Sequence, residues 1–347
     1  MRKLFLGLIL GILVLAGCFP GFSPISQSIN FPNHEVGLLN QSSTATITSN
    51  QLIDTTSTPF PTNNLQPFET PTIQPSLPIY TAVQLNLPRP SNQVNILLLG
   101  SDYRPKKGFN TDVIMVLSLN LDKGTATLTS FPRDLYVDIP NYGMNRINAA
   151  QAIGGFELTA ATLQENFDVI VDYYIMTNFS GFKYIVDALG GITVEAGMEL
   201  NDSCALPQAV DRMCRIPVGK NQMNGATALW YVRSRETTND FDRTRRAQEV
   251  ITAIFKKAMT LEAINRGPEL YDLFKSYVET DLPMDIVLHL LPISAQIIED
   301  PSLVKRYTIG PDNIIYHTVP ESGAMVLIPD PVSVSEIIME AFYQYSE

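Results

Sequence analysis

Between Lys3 and Arg89 the chain carries no lysine or arginine, and over its full length 24 Lys+Arg face 35 Asp+Glu, a formal net charge of −11. That balance excludes a dedicated DNA- or RNA-binding protein, whose affinity would rest on clustered positive charge. Cysteine is scarce as well: three in 347 residues cannot make a disulfide-rich scaffold. No apolar run approaches the ~18 residues of a spanning helix, so an integral bundle or channel is excluded. G-x-S-x-G, Walker and G-x-G-x-x-G motifs are missing. The three histidines, His34, His289 and His317, are far apart and have no local nucleophile to serve. What is present is 45% hydrophobic and only 17% charged, enough for one large core or two small ones. Any anionic ligand must therefore be held by a local basic site.

The N-terminus reads as an address. Arg2 and Lys3 precede an apolar run over residues 4–16, the length of a secretory signal rather than of a membrane span. Leu15-Ala16-Gly17-Cys18 resembles the bacterial lipobox, in which the cysteine thiol is acylated before cleavage. Residues 1–17 are then a lipoprotein signal peptide, and a lipidated Cys18 anchors the mature protein to the outer face of a membrane. Residues 18–90 read as a disordered tether. This stretch holds 11 of the 24 prolines among Ser, Thr, Asn and Gln, and buries too little apolar surface to offset its chain entropy.

From Val94 the pattern becomes globular. Residues 94–99 form an apolar run ended by Gly100, a buried strand; residues 112–119 and 125–131 follow as strands around an Asp122-Lys123-Gly124 turn. Helices are expected over 156–167, 179–189 and 243–259, with strands at 171–176 and 192–194. Helical segments continue to about residue 298, and 332–345 reads as a closing helix. Alternating strands and helices give an α/β or α+β domain with a central mixed sheet over residues 91–347. Cys204 and Cys214 are most simply a structural disulfide in an exported protein, since no histidine is near enough in sequence to suggest zinc.

Three clusters could carry chemistry. Asp102 and Arg104 follow the first strand, and Asp112 begins the second; if those strands pair antiparallel, both carboxylates emerge at one sheet end. Two carboxylates beside basic groups suit a Mg²⁺ shared with substrate phosphate, although turn-capping is the plain alternative. Arg133 and Asp134 follow the third strand, where a surface ion pair is the ordinary reading. Arg233, Arg235, Arg243, Arg245 and Arg246 crowd into 14 residues of an acidic chain. Arg233 and Arg235 point together only on extended chain, so a helix is expected to end beside them. Arg243 and Arg246 are expected on one face of the next helix, with Asp242 as its N-cap. Arg245 is expected to pair with Glu249 and to stand outside the site. A preference for arginine over lysine fits planar recognition of phosphate.

In order, these pieces resemble the LytR–CpsA–Psr family of bacterial cell-wall glycopolymer ligases. The matching segments are Asn95-Ile96-Leu97-Leu98-Leu99-Gly100-Ser101-Asp102-Tyr103-Arg104, Thr111-Asp112-Val113, Phe131-Pro132-Arg133-Asp134, Arg146-Ile147-Asn148-Ala149, Val186-Asp187-Ala188-Leu189-Gly190-Gly191, Trp230-Tyr231-Val232-Arg233-Ser234-Arg235 and Asp240-Phe241-Asp242-Arg243-Thr244-Arg245-Arg246-Ala247-Gln248. The resemblance covers about residues 94–259. It implies an α/β/α sandwich with a central mixed sheet. It also implies a phosphotransferase that moves a glycopolymer, such as a teichoic acid or capsular polysaccharide, from a polyprenyl-pyrophosphate carrier to peptidoglycan. Asp102 and Asp112 match the acids associated with Mg²⁺ and catalysis; Arg104, Arg133, Arg233, Arg235, Arg243 and Arg246 match the arginines around the pyrophosphate. Ala149 stands where the family usually has His, Asp242 where Gly is common, and Ala247 where Gln is frequent. A polyprenyl-pyrophosphatase and a non-catalytic wall-binding protein are the alternatives; no nucleic-acid partner is expected.

Overall fold

In the computed structural model, residues 82–83, 85, 87–102, 110–260 and 265–343 are described; Cys18, the signal, most of the tether and Arg104 lie outside them. The apolar run after Gln93 is the spine of a sheet. Strand β1 (Gln93–Ser101) pairs antiparallel with β2 (Thr111–Asn120), and β2 with β3 (Thr125–Ser130). Gly124, at φ 65°, turns the chain between β2 and β3 in a conformation that side chains disfavour. A hairpin of β4 (Tyr136–Ile139) and β5 (Gly143–Arg146) leads to α1 (Ala149–Phe167). This helix kinks at Gly154 and Gly155, so the helix expected from Phe156 is its second limb.

Strand β6 (Tyr173–Asn178) lies parallel to β1 and passes directly into α2 (Phe179–Ala188). Asn178 caps that helix, its Oδ1 accepting from the amides of Ser180 and Gly181 at 3.0 Å. Short strands follow: β7 (Ile192–Ala196), β8 (Leu200–Ser203), β9 (Met213–Ile216) and β10 (Gly219–Met223), with β7 paired to β10 and β8 to β9. Helices α3 (Gly225–Arg233) and α4 (Asp240–Ala258) come next. A Cβ on Gly225 would stand 2.3 Å from the Lys183 carbonyl oxygen, so α3 crosses α2 at a distance only glycine allows.

The remainder comprises α5 (Gly267–Tyr277), β11 (Val278–Thr280), α6 (Met284–Glu299), β12 (Val304–Thr308), β13 (Ile314–Thr318), β14 (Met325–Pro329) and α7 (Pro331–Ile338). Two expectations are corrected here. Strand β11 interrupts the helical stretch to 298, and the closing helix ends as a wider π-helical segment, Met339–Tyr343.

The main sheet runs β11-β6-β1-β2-β3-β12 and is mixed, with β1/β6 and β3/β12 parallel. On one face Leu97, Leu99, Ile114 and Val116 pack with Leu163 and Phe167 of α1 and Val334 and Ile338 of α7. On the other, Ile96, Leu119 and Ala126 meet Leu290, Ile293 and Ile297 of α6, while Met115 and Leu128 meet Ala247 of α4. Both faces are covered, so β1 and β2 read as near-continuous apolar runs, and the layers are those of an α/β/α sandwich. Each such aliphatic side chain contributes about 1.5–3 kcal/mol by leaving water.

The packed part starts earlier than residue 91. Val83 is buried in the first core, its amide donating to the Asn166 carbonyl at 3.1 Å, and Leu85 and Leu87 pack against the same cluster. The spacing of these three apolar residues by two gives one buried face, which corrects the tether boundary expected at residue 90. Among the described residues no helix is long and apolar enough to cross a membrane.

Candidate active site

The register puts one end of the sheet to use. Ser101 pairs with Thr111 on β2 and with Asn178 on β6, and Thr308 of β12 pairs with Ser130 of β3. The carboxyl ends of β1, β3, β6 and β12 therefore meet the start of β2. A register shift between Gly100 and Ser101 turns the chain where Asp102 leaves β1. The Asp102 amide donates to the Asn110 carbonyl at 3.0 Å, and Asp102 Oδ1 accepts from the Asn110 amide at 2.6 Å. Asp102 thus closes the neck of the loop between β1 and β2, and Asp112 stands just past it, at the sheet end anticipated for both.

Arg133 lies at the centre of the ionic contacts. Its Nη1 donates to Asp112 Oδ1 at 2.6 Å, its Nε lies 3.3 Å from Asp134 Oδ2, and its Nη2 lies 3.8 Å from Asp240 Oδ2. Asp134 also meets Arg146 at 3.3 Å, and Asp240 meets Arg243 at 3.6 Å. Burial opposes the charge on Arg133, but its hydrogen bond to Asp112 and the charges of Asp134, Asp112 and Asp240 outweigh it and raise its pKa. Arg243 goes the other way: burial dominates, and the charges of Arg133 and Arg235 add to it, so its pKa falls. A phosphate would relieve that repulsion. Asp112, Arg133, Asp134, Asp240 and Arg243 line a narrow cleft with about 20 Å³ of free space, whose remaining walls include Ile114, Met115, Phe131, Phe241, Ala247 and Leu327. Its lining is part ionic and part apolar.

Helix α4 is set over this end by Gln248, whose Nε2 donates to Ser130 Oγ at 2.7 Å and to the Tyr307 carbonyl at 2.8 Å. Its N-cap is Asn239, with Oδ1 accepting from the Asp242 amide at 2.9 Å, and not Asp242 as expected. The helix starts three residues earlier because the extended Asn239 offers the first free side-chain acceptor. That shift brings Asp240 into the first turn, where it bridges Arg133 and Arg243. Asp240 is the site residue that sequence reading passed over, although it stood in the Asp240-Phe241-Asp242 segment.

The arginine cluster divides. Helix α3 ends at Arg233 and Ser234 is extended, as the pairing of Arg233 with Arg235 requires. Arg233 and Arg235 are both exposed; Arg233 lies over the Phe179 ring at 4.2 Å, beside the end of β6, and Arg235 is near enough to act on Arg243. Arg245 pairs with Glu249 at 2.5 Å, as anticipated. Arg246 is the correction. It is only 1% exposed, donates to the Ser234 carbonyl and to Thr238 Oγ1, and stacks 5.7 Å over Tyr231, so it does not share a face with Arg243. Cys204 and Cys214 are disulfide-bonded, with Cα atoms 5.7 Å apart.

A model of the LytR_cpsA_psr family matches residues 63–328. The polyisoprenyl-teichoic acid–peptidoglycan teichoic acid transferase TagU of Oceanobacillus iheyensis is 32% identical over 206 residues, which cover 57% of this chain and 62% of that protein. The chain therefore matches less than two thirds of that relative's length. The transferase TagT of Bacillus subtilis, of the same description, is 30% identical over 230 residues, covering 64% of this chain and 70% of TagT. The crystal structure of B. subtilis TagV superposes with a TM-score of 0.60 at 24% identity, over 74% of this chain and all of TagV, which is a likeness of fold.

Proposed function

The chain belongs to the LytR_cpsA_psr family, and on that premise we propose that it is a phosphotransferase acting outside the cytoplasm. It moves a glycopolymer from a polyprenyl-pyrophosphate carrier to peptidoglycan. The observation that carries this reading is the mixed ionic and apolar lining of that cleft. A polyprenyl-pyrophosphate needs cationic forks for its phosphates and an apolar wall for its chain, and Arg133 and Arg243 stand beside Phe131, Phe241 and Leu327 in one cavity. The names of TagU and TagT describe such a transfer for those relatives.

In this reading an acceptor sugar hydroxyl attacks the phosphorus that bears the glycan. The new O–P bond forms as the P–O–P bond breaks, and polyprenyl phosphate departs. Arg133, Arg235 and Arg243 neutralise the charge that accumulates on the transferring oxygens, and Arg233 extends the cationic rim; Arg104 lies outside the described residues and joins this set by family resemblance alone. Asp112 takes the proton that the hydroxyl releases. Asp102 and Asp112 suit Mg²⁺: among the described residues each has one carboxylate oxygen engaged by a donor, which leaves a second for a cation. Among the described residues there is no group of three or more His, Cys, Asp or Glu that could hold a metal ion; in this reading the ion is shared with substrate phosphate. When bound, Mg²⁺ supplies charge neutralisation at the pyrophosphate. The lipidated Cys18 keeps the protein at the membrane surface where the carrier resides.

The test mixes the protein with a labelled lipid-pyrophosphate glycan, peptidoglycan oligomers and Mg²⁺. Label on peptidoglycan, lost in Asp102→Ala, supports the ligase. Glycan phosphate released at the same rate without acceptor makes the protein a pyrophosphatase, and a label left on the donor in every case makes it a wall-binding protein.

A further inference from the structure

Between the two exposed arginines of the 233–235 stretch, Ser234 turns inward and is held from both sides. Its hydroxyl donates to Asp202 Oδ2 at 2.5 Å, and its carbonyl accepts from the buried guanidinium of Arg246. Asp202 is 1% exposed and is also the acceptor for the amides of Glu236, at 3.1 Å, and Ser203, at 2.7 Å. Two more bonds join the same strand to the same stretch: Trp230 Nε1 donates to the Ser203 carbonyl at 2.8 Å, and Thr237 Oγ1 to the Asn201 carbonyl at 3.0 Å. Strand β8 is itself fixed, because Asp202 pairs across the ladder with Cys214, one end of the disulfide.

We propose that Asp202 and Arg246 are positioning residues: by gripping Ser234 they fix where Arg233 and Arg235 stand in the phosphate-binding rim. The alternation of an extended chain supplies the mechanism, since a serine turned inward makes both neighbours turn outward together. A carboxylate suits the inner end better than any neutral group. Three donors converge on it, and an amide would turn its own N–H against at least one of them. Arg246 is then not a ligand of the pyrophosphate but the support beneath its ligands. This inference rests on the reading of Arg233 and Arg235 as phosphate-binding groups.

The experiment uses Ser234→Ala, Ser234→Thr and Asp202→Asn in the intact protein, with two readouts. One is hydrogen exchange at the Glu236 amide; the other is binding of inorganic pyrophosphate with Mg²⁺ by calorimetry. Ser234→Ala is expected to raise Glu236 exchange and to weaken pyrophosphate by about tenfold each, the loss of one hydrogen bond to a buried charge. Ser234→Thr, which keeps the hydroxyl, is expected to retain both, and the thermal midpoint of Ser234→Ala to move by no more than about 5 °C. Unchanged exchange in Ser234→Ala overturns the clamp. Raised exchange with unchanged pyrophosphate affinity overturns its positioning role. Should Asp202→Asn fail to fold, Ser234→Ala still decides. A wild-type protein that ignores pyrophosphate counts against the phosphate-binding reading of the arginines, while Glu236 exchange continues to decide the clamp.

Discussion

Arg133 and Arg246 are both poor in water contact and both close to aspartates, yet they do opposite things. Arg133 keeps 22% of its side-chain surface open, faces three carboxylates and has its pKa raised by them. Arg246 is enclosed, donates to a backbone carbonyl, and has its pKa lowered by burial. The first is a cation whose partners can be exchanged for a phosphate without stranding any group. The second is committed: removing it would empty a buried volume and leave the Ser234 carbonyl only the longer bond from Thr238 Oγ1, at 3.4 Å. Proximity in an arginine-rich motif thus does not assign a role; the partners do.

The largest expected effect lies on the Arg133 side. Arg133→Ala should reduce label transfer to peptidoglycan by about 100-fold or more, as loss of a charge-stabilising donor does. Folding should survive, because Asp112, Asp134 and Asp240 all keep access to water. Arg133→Lys should recover little, since a point charge cannot serve three carboxylates in the way a planar fork does. A transfer rate within twofold of wild type in Arg133→Ala would remove the distinction between the two arginines.

Arg246→Ala should show the reverse pattern. Urea unfolding is expected to report a loss of about 3 kcal/mol, from the vacated volume and the lost charge-assisted hydrogen bond to the Ser234 carbonyl. Pyrophosphate binding should fall only as the 233–235 stretch loosens. If Arg246→Ala unfolds like wild type but binds no pyrophosphate, Arg246 touches ligand after all.

How far this contrast could be read in advance differs along the chain. The strands β1 and β2 were legible because both faces of the sheet are covered, so their centres form apolar runs; β3, Thr125-Ala126-Thr127-Leu128-Thr129-Ser130, was legible from the Asp122-Lys123-Gly124 turn before it and its β-branched threonines. The placing of Asp102 and Asp112 at one sheet end needed only the antiparallel pairing of β1 and β2. Arg246 was not legible. Three residues along a helix rotate a side chain by only about 60°, and sequence spacing alone could not show that this rotation carries Arg246 from the cleft onto Tyr231. Asp240 was hidden by a helix start placed too late. Strand β12, Val304-Lys305-Arg306-Tyr307-Thr308, sits at the sheet edge and lacks the apolar run that revealed β1 and β2. The clamp on Ser234 joins residues more than 30 positions apart, and no local pattern announces it.

Reducing the Cys204–Cys214 disulfide should have a smaller effect, and on one side only. Closing a loop with nine residues between its cysteines is worth roughly 2–3 kcal/mol in the chain-entropy account. Its loss should raise exchange at Glu236, because Asp202 is the ladder partner of Cys214. Among the described residues the Asp112–Arg133 contact has no bond to that hairpin, and Asn110 beside it should keep its exchange pattern. Equal loosening at both places would mean that the two regions are a single cooperative unit.

The smallest effect is that of acid. Burial pushes the Asp202 carboxyl up, but the Ser234 hydroxyl and the amides of Ser203, Thr237 and Glu236 together bring it below its ordinary value. A carboxylate lowered in the folded state contributes stability that is present above its unfolded pKa, about 3.9, and is lost as pH falls through the folded value. The clamp should therefore hold at pH 4 and weaken only in stronger acid. Asp202→Asn has no such proton to gain, so its urea midpoint should fall less steeply below pH 4 than that of the wild type. Parallel acid limbs in the two proteins would mean that Asp202 is not held ionised by its donors, and the grip on Ser234 would then be no stronger than an ordinary neutral hydrogen bond.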